Sequence, residues 1–450
     1  MNRTKTLVAV CVALMAVISS VTGLNVAQPH LAAEFGASQG TVLWIINIYV
    51  LTLSALLLPL GAVGDRWGRK PVLIAGLVVF GAANVIAGVA TSTEVLLAAR
   101  VLAGIGAATI MPVTLAVITS TFPATERSRA IGVWTGVAGG GGLLGMFLSA
   151  LLVDVADWRF LFVLPVVLVV VALVMALTAV PDSREARPFD VVGSLTSVVA
   201  VAGLIHFLHE RDVLSLLAGA GAAIAFVAWE LRHPAPLLDV RLFRERRLAT
   251  GSVVLLVVFG VQAGVSIVLY PFFQTVLGWS GLVSTVALLP MAGLMMVASG
   301  LAPRLAERVG ARATMATGIV LGGLGLVLMA VFVDAGYLTV LPGMVAMGAG
   351  MVLSMPPATE AITSALPQGR QGVASALNDV TREFGTALGV ASLGAMVAGA
   401  VDTGESFVEG WRTAMWTGVA VMAVLFTYVL RRRGAGRPAS AGARRRTGSA

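Results

Sequence analysis

Long apolar runs recur along the whole chain and are separated by short polar stretches rich in Gly, Pro and Arg. Most of these runs reach the roughly 20 residues that an α-helix needs to cross a bilayer. The pattern therefore predicts fourteen membrane-spanning helices, and an even number places both chain ends on one side. The expected spans are 7–29, 42–63, 72–90, 95–120, 130–153, 160–180, 190–208, 213–230, 248–272, 281–303, 313–333, 338–360, 372–400 and 413–430.

Two polar segments are longer than the others and divide the spans into groups. Residues 182–190 form a charged linker after the sixth span, and residues 230–247 follow the eighth span. We therefore expect an all-α polytopic membrane protein whose fourteen helices are arranged as 6+2+6. The expected domains are a first six-helix half at 1–180, an inserted helix pair with its linkers at 181–247, a second six-helix half at 248–430 and a disordered basic tail at 431–450.

Charged residues make up only 12% of the 450 residues, and hydrophobic residues make up 58%. A soluble domain carries about 25% charged residues, so this chain lacks the charge to cover a soluble surface. The net charge of +8 could indicate nucleic-acid binding, but the positions of the bases favour another explanation.

Of the 30 Lys and Arg, 25 fall at the N-terminus, in the loops after even-numbered spans and in the tail. Only Arg159, Arg211 and Arg412 fall in the loops after odd-numbered spans. The positive-inside rule then places both termini in the cytoplasm of a plasma-membrane protein. The bias also explains the basic balance of the chain without a nucleic-acid partner.

The loop between the second and third spans carries the most specific pattern in the chain. Residues 61–73 read GAVGDRWGRKPVL, with one acid and three bases before a proline that suits the first turn of the next helix. The pattern fits a charged loop that obeys the positive-inside rule, and it also fits a latch in which Asp65 gains and loses basic partners. Asp65 is expected close to the N-terminus of the third span, where the helix dipole favours an anion. The predicted latch residues are Gly61, Asp65, Arg66, Gly68, Arg69 and Lys70.

These six residues resemble the signature loop between helices 2 and 3 of the major facilitator superfamily. The 6+2+6 layout and the run PLLDVRLF before the ninth span resemble the fourteen-helix drug:proton antiporter branch of that superfamily. The resemblance covers nearly the whole chain except the tail. It implies a secondary transporter in which two six-helix halves rock about a central cavity.

Arg100 lies inside the fourth expected span, where a charged side chain is costly and is usually functional. It is only six residues from Glu94, so it could also reach out to the exterior interface. The stretch around it resembles the fourth-helix motif of the superfamily, which implies a role for Arg100 in proton translocation. The matching residues are Leu96, Arg100, Gly104, Gly106 and Ala108.

The thirteenth span contains two acids and a base. Asp379 and Glu383 are four residues apart and share a helical face, while Arg382 is three residues from Asp379 and can pair with it. Glu383 is adjacent to Arg382 and faces it less well, so we expect Glu383 to be the proton carrier. Asp379 with Arg382 would then be a structural or gating pair, and a purely structural ion pair is the alternative.

Polar side chains at four-residue spacing mark a possible substrate cavity. In lipid such a stripe must face another helix or a cavity. The helix that opens the second half lines the central cavity in the superfamily, and the first span offers similar groups. The predicted cavity residues are Thr22, Asn25, Gln262, Ser266, Tyr270 and Gln274.

Two positions depart from the antiporter branch. Ser20 stands where the branch commonly has an Asp, and Met146 replaces the Pro of the antiporter motif in the fifth span. Both departures leave the transporter assignment intact and leave proton antiport open. If proton coupling persists, it must use Asp379, Glu383, Arg100 or Asp65.

We see no nucleotide-binding loop, metal cluster or nucleophile constellation in the sequence, so we expect no enzyme activity, no cofactor and no metal. The expected function is proton-coupled efflux of small amphipathic or cationic organic molecules such as drugs, antibiotics or metabolites. The expected partners are the substrate, protons and the bilayer, and the expected state is a monomer. A symporter or uniporter of a native metabolite and a non-transporting membrane sensor are the alternatives.

Overall fold

The structure, a computed structural model, describes residues 3–183, 188–403 and 405–431. The tail predicted to be disordered lies outside these residues apart from Arg431. The side chains of Thr22 and Asn25, both predicted to line the cavity, are also outside what is described. Throughout the described ranges, the regular elements are helices.

Eighteen α-helices follow one another in the described part of the chain. They are α1 Arg3–Val26, α2 Gln28–Phe35, α3 Gln39–Trp67, α4 Arg69–Gly88, α5 Thr93–Thr121, α6 Ala124–Val155, α7 Val163–Ala179, α8 Val191–Glu210, α9 Val213–Glu230, α10 Arg246–Pro271, α11 Gly281–Val286, α12 Leu289–Ser299, α13 Leu301–Val309, α14 Ala311–Val331, α15 Tyr337–Thr363, α16 Gln371–Gly389, α17 Ala395–Asp402 and α18 Phe407–Arg431.

Among the described residues, fourteen helical segments are long and apolar enough to cross a membrane. They correspond one to one with the fourteen predicted spans, so the predicted all-α polytopic fold is confirmed. Some spans are interrupted. α10 continues through a π-helical turn at Phe272–Val276, and α16 is joined to α17 by another at Val390–Gly394.

Side chains that cap the backbone start several of the helices. A short polar side chain satisfies N–H groups that have no partner within the helix, which fixes where the helix begins. The capping residues are Ser38 for α3, Ser92 for α5, Asp190 for α8, Asp212 for α9 and Ser280 for α11.

The α8–α9 pair, which we call the insert, packs against α3 and also touches α16. His206 of α8 lies with its ring centroid 5.5 Å from that of Trp44 of α3. Arg211, in the turn between α8 and α9, donates a hydrogen bond of 2.9 Å to the carbonyl of Ala391. The insert is therefore attached to both groups of six spans, which meet at α3 and α16.

Candidate functional site

Asp65, in the last turn of α3, lies against the N-terminus of α16. Its Oδ1 accepts a hydrogen bond from the backbone N–H of Gly372 at 2.8 Å, and its Oδ2 accepts one from Val373 at 3.1 Å. Arg69 Nη2 donates to the same carboxylate at 2.9 Å, and both side chains are buried. A carboxylate in this position satisfies unpaired N–H groups and interacts favourably with the helix dipole. Asp65 thus ties the second span to the thirteenth.

The expectation that Asp65 acts at the N-terminus of the third span is wrong. α4 begins at Arg69 without a side-chain cap, and the helix that Asp65 caps is α16. The carboxylate projects from the end of α3 toward a helix more than 300 residues later in the sequence. Tertiary packing, rather than chain proximity, decides which helix dipole this acid meets.

The basic latch residues hold the segments around Asp65. Arg69 Nη2 also donates to the carbonyl of Gln368 at 3.1 Å, just before α16, and its Nη1 donates to Ser183 Oγ at 3.3 Å. Arg69 therefore bridges three parts of the chain at once.

The other latch residues make fewer contacts than Asp65 and Arg69 in the described structure. Lys70 Nζ donates to the carbonyl of Leu177 at 2.7 Å, and the Arg66 guanidinium lies 5.0 Å from the ring centroid of Trp67. Gly68 has φ of +105°, a conformation that glycine adopts without strain at the turn between α3 and α4.

Gly61 permits the closest approach between α3 and α16. A Cβ at this position would lie 2.5 Å from the carbonyl oxygen of Gly372 and 2.8 Å from the Cβ of Ala376. Since the obstructing atoms belong to a helix backbone, they cannot rotate away. We call the end of the molecule that carries this contact the latch end, and here the two helices are in backbone contact.

A second seam between the two groups of spans joins α6 to α12 and α13. Two glycines of α6 face this seam: a Cβ on Gly136 would lie 2.5 Å from Ser299 Oγ, and one on Gly132 would lie 3.0 Å from the Ser299 carbonyl oxygen. Closer to the latch end, Ser128 donates a short hydrogen bond to Glu360 of α15. Small residues let helices approach closely in a membrane, so the helices of this seam are also in close contact.

Arg100 is buried, with only 1% of its surface exposed, so it does not reach the interface. Its guanidinium lies 4.1 Å from the ring centroid of Tyr49, its Nε donates to the carbonyl of Ile45 at 3.3 Å, and its Nη1 donates to Ser20 Oγ at 3.1 Å. Its Nη2 has no hydrogen-bond partner among the described residues. Ser20 thus occupies the place from which an acid would meet Arg100.

Asp379 and Arg382 form the pair that their spacing predicts. Asp379 is completely buried, and its Oδ1 accepts from Arg382 Nη1 at 3.4 Å and from Asn378 Nδ2 at 3.1 Å. The Arg382 guanidinium also lies 4.5 Å from the ring centroid of Phe259 and 5.6 Å from that of Trp134. Trp134 belongs to α6, so Arg382 contacts both groups of spans.

Glu383 differs from Asp379 in being half-buried and in lacking a direct partner. It makes no hydrogen bond or ion pair with any residue that the structure describes. The charges that act on it are those of Arg382 and Asp379, which already pair with each other. Of the two acids on α16, Glu383 is therefore the one whose carboxylate has no hydrogen bond or ion pair with a described residue.

The polar stripe of the ninth span runs along α10 into its π-helical extension. Gln262 Nε2 lies 3.4 Å from Ser266 Oγ, and Tyr270 Oη donates to the carbonyl of Gly281 at 3.4 Å. Ser266 and Gln274 are exposed, while Gln262 and Tyr270 are half-buried. The stripe is continuous along one side of α10, and its role in binding substrate stays a prediction.

Sequence reasoning missed the groups that complete these sites. The Gly372 and Val373 amides, the Gln368 carbonyl and the Ser128–Glu360 contact join segments that are far apart in the chain. Glycines at both Gly61 and Gly372 were an available signal, because two small residues on different spans permit backbone contact.

Comparison with known proteins gives the chain a family. A model described as Major Facilitator Superfamily matches residues 8–390 and, again, residues 297–449. The multidrug resistance protein Stp of Mycobacterium tuberculosis is 30% identical over 412 residues, 88% of this chain and 77% of that protein. The tetracenomycin C resistance and export protein of Streptomyces glaucescens is 31% identical over 423 residues, 91% of this chain and 78% of that protein. The human organic anion transporter MFSD10 has a similar fold, with a TM-score of 0.72 and 16% identity over 95% of this chain and 100% of that one.

Proposed function

We propose that this chain, which belongs to the major facilitator superfamily, exports small amphipathic or cationic organic molecules in exchange for protons. The family predicted from the latch loop is confirmed, and the chain is a multi-pass membrane transporter. Its relatives include a multidrug resistance protein and a tetracenomycin C resistance and export protein, which supports drug-like substrates and the outward direction.

The observation that carries the proposal is that α16 bears both Glu383 and the amides that Asp65 holds. Gly372 and Glu383 are eleven residues apart, which is roughly 16 Å along one helix. A proton that binds or leaves Glu383 changes the charge of the same rigid helix whose N-terminus closes the latch. Proton binding and opening of the latch end are thereby linked through one element.

The proposed cycle moves the two six-helix halves, 1–180 and 248–430, against each other. The seams α3–α16 and α6–α12 separate when the latch end opens. The insert and its linkers, at 181–247, move along at the side of the two halves. Arg382 couples this movement to its ion pair with Asp379, because Arg382 belongs to one half and its guanidinium lies over the ring of Trp134 in the other.

A symporter or uniporter of a native metabolite is the second candidate. The observation that favours it is that Arg100 meets Ser20 rather than an acid, so one common proton site of the antiporter branch is missing. The two candidates differ in the direction in which a proton gradient drives the substrate.

We expect inside-out membrane vesicles that contain the protein to accumulate ethidium when the vesicle interior is made acidic. Accumulation should stop when a protonophore collapses the gradient, and vesicles from cells without the protein should show none. Uptake that requires the reverse gradient would indicate a symporter. Uptake that only equilibrates, whatever the gradient, would indicate a uniporter, and either result contradicts the proposal.

We expect both termini to lie in the cytoplasm, because 25 of the 30 Lys and Arg fall on that side. A reporter fused after Arg431 should give a cytoplasmic signal, and one inserted within 402–409 should give an exterior signal. The reverse pair of signals would invert the topology, and two signals from one side would contradict the count of fourteen spans.

A further inference from the structure

Two carboxyl groups are buried together at the end of the insert nearest the latch. Asp190 precedes α8 and is 5% exposed, and Glu230 ends α9 and is 1% exposed. A Cβ on Gly193 would lie 2.3 Å from Glu230 Oε1 and 2.5 Å from Asp190 Oδ2, so both oxygens face the same point. The two carboxyl groups are therefore adjacent, and each acts on the other electrostatically.

The remaining oxygens of this carboxyl pair have ordinary donors. Asp190 Oδ1 accepts from the Gly193 N–H at 2.8 Å and from Trp229 Nε1 at 3.0 Å. Glu230 Oε2 accepts from the Leu238 N–H at 3.1 Å. Glu230 Oε1 has no donor from any described residue, although it is buried. A single proton held between the two carboxyl groups satisfies that oxygen and removes the repulsion between two adjacent anions.

The neighbouring cations do not take over the role of that proton, which is to neutralise one of the two carboxylates. His233 Nδ1 lies 3.7 Å from Asp190 Oδ2, with its ring stacked on Trp229, and Arg370 acts on Glu230 through electrostatics. Across the neighbouring cavity lie Asp65 and Arg66. In the described ranges, neither carboxyl group forms an ion pair with a Lys or Arg.

The carboxyl pair fastens the two linkers of the insert beside the latch. Asp190 ends the first linker, and Glu230 holds Leu238 of the second. Both linkers line a cavity of about 50 Å³ together with latch residues and the N-terminus of α16. The residues that matter here are Asp65, Arg66, Asp190, Leu237, Arg370 and Val373.

We propose that Asp190 and Glu230 form a proton-binding site through which the pH at the latch end sets whether the linkers of the insert stay closed over the latch. With the proton bound, the pair bridges α8 and α9, and Glu230 keeps its bond to Leu238. When the proton leaves at higher pH, two buried anions face each other, Glu230 turns toward Arg370 and water, and Leu238 is released. The linkers are thus closed at low pH and open as the pH rises, independently of Glu383.

The Leu238 amide provides a direct test, because its hydrogen bond ends on Glu230. Hydrogen–deuterium exchange of the purified full-length protein should show that protection of this amide falls roughly tenfold between about pH 6 and pH 8.5, after correction for intrinsic exchange rates. The Ser215 amide is the internal control, because the isolated acid Asp212 caps it at 2.9 Å at the other end of α9. Its corrected protection should stay constant.

The Glu230→Gln variant is compared with the parent for protection of the Leu238 amide at the two pH values. Its amide group donates to Asp190 and its oxygen still accepts from Leu238, so Leu238 should stay protected at both pH values. If this variant is not recovered in membranes, Asp190→Asn, which supplies a donor to Glu230, should give the same result. His233→Gln should keep the parent's response.

Three results would overturn the proposal. They are equal profiles in the parent and the Gln variant, constant protection in the parent, and loss of the response in His233→Gln, which would place the proton on the imidazole. None of these measurements involves transport, so they stand apart from the proposed export activity.

Discussion

Glu383→Gln is expected to abolish proton-driven accumulation of substrate, reducing it to the level of vesicles without the protein. Glu383 is half-buried and has no direct partner in the described structure, whereas Asp379 is buried and paired with Arg382. A glutamine imitates the protonated carboxyl group permanently, so a gradient can no longer act through it. Substrate binding and substrate exchange without a gradient should persist, since neither requires release of a proton.

The matched control for this experiment is Glu307→Gln on the exposed face of α13, which should leave transport unchanged. Asp379→Asn should behave differently from both and reduce the amount of folded protein, because removing one partner of a buried ion pair costs about 3–5 kcal/mol. If Glu383→Gln vesicles accumulate substrate at the parent's rate, the coupling site must be sought at Arg100 and Asp65 instead.

Gly61→Ala is expected to slow transport at least about tenfold, because the closed latch end has no room for a methyl group. The new Cβ would lie 2.5 Å from the Gly372 carbonyl oxygen, and α3 would have to move away from α16. A penalty of about 1.4 kcal/mol on the closed state is enough for a tenfold effect. Labelling of a cysteine placed at Val373, which is buried beside Asp65 in the closed latch end, should increase in this variant, since the latch end spends more time open.

The chain offers two matched controls for this substitution. A Cβ on Gly221 or Gly293 would have no heavy atom within 4 Å, and both residues lie within helices. Gly221→Ala and Gly293→Ala should therefore transport at the parent's rate. Parental transport by Gly61→Ala, with unchanged labelling, would show that the two helices need not touch during the cycle.

The spans and one ion pair were predictable because they depend on local sequence. Apolar length alone sets which segments can cross a bilayer, and the interval of three residues between Asp379 and Arg382 places them on neighbouring positions of a helix. The structure has both features where the sequence predicts them.

The partners of Asp65 and Arg100 could not be predicted, because they come from helices brought together by packing. Asp65 meets the amides of Gly372 and Val373, and Arg100 meets Tyr49. No interval in the sequence encodes these contacts. The sequence assigned Asp65 to the N-terminus of the next helix, whereas the fold places it at the N-terminus of α16. For Arg100 the sequence allowed either the exterior interface or a buried position, and the fold buries it.

The π-helical turns at Phe272–Val276 and Val390–Gly394 lie at the end of the molecule opposite the latch. Each widens the helix by one residue and leaves carbonyls poorly matched to their own amides, and one of these, on Ala391, accepts from Arg211 instead. At the latch end, by contrast, α3 and α16 are in backbone contact at Gly61 and Gly372. For the proposed export cycle, we therefore expect the substrate to leave at an end whose helices can adjust to its shape.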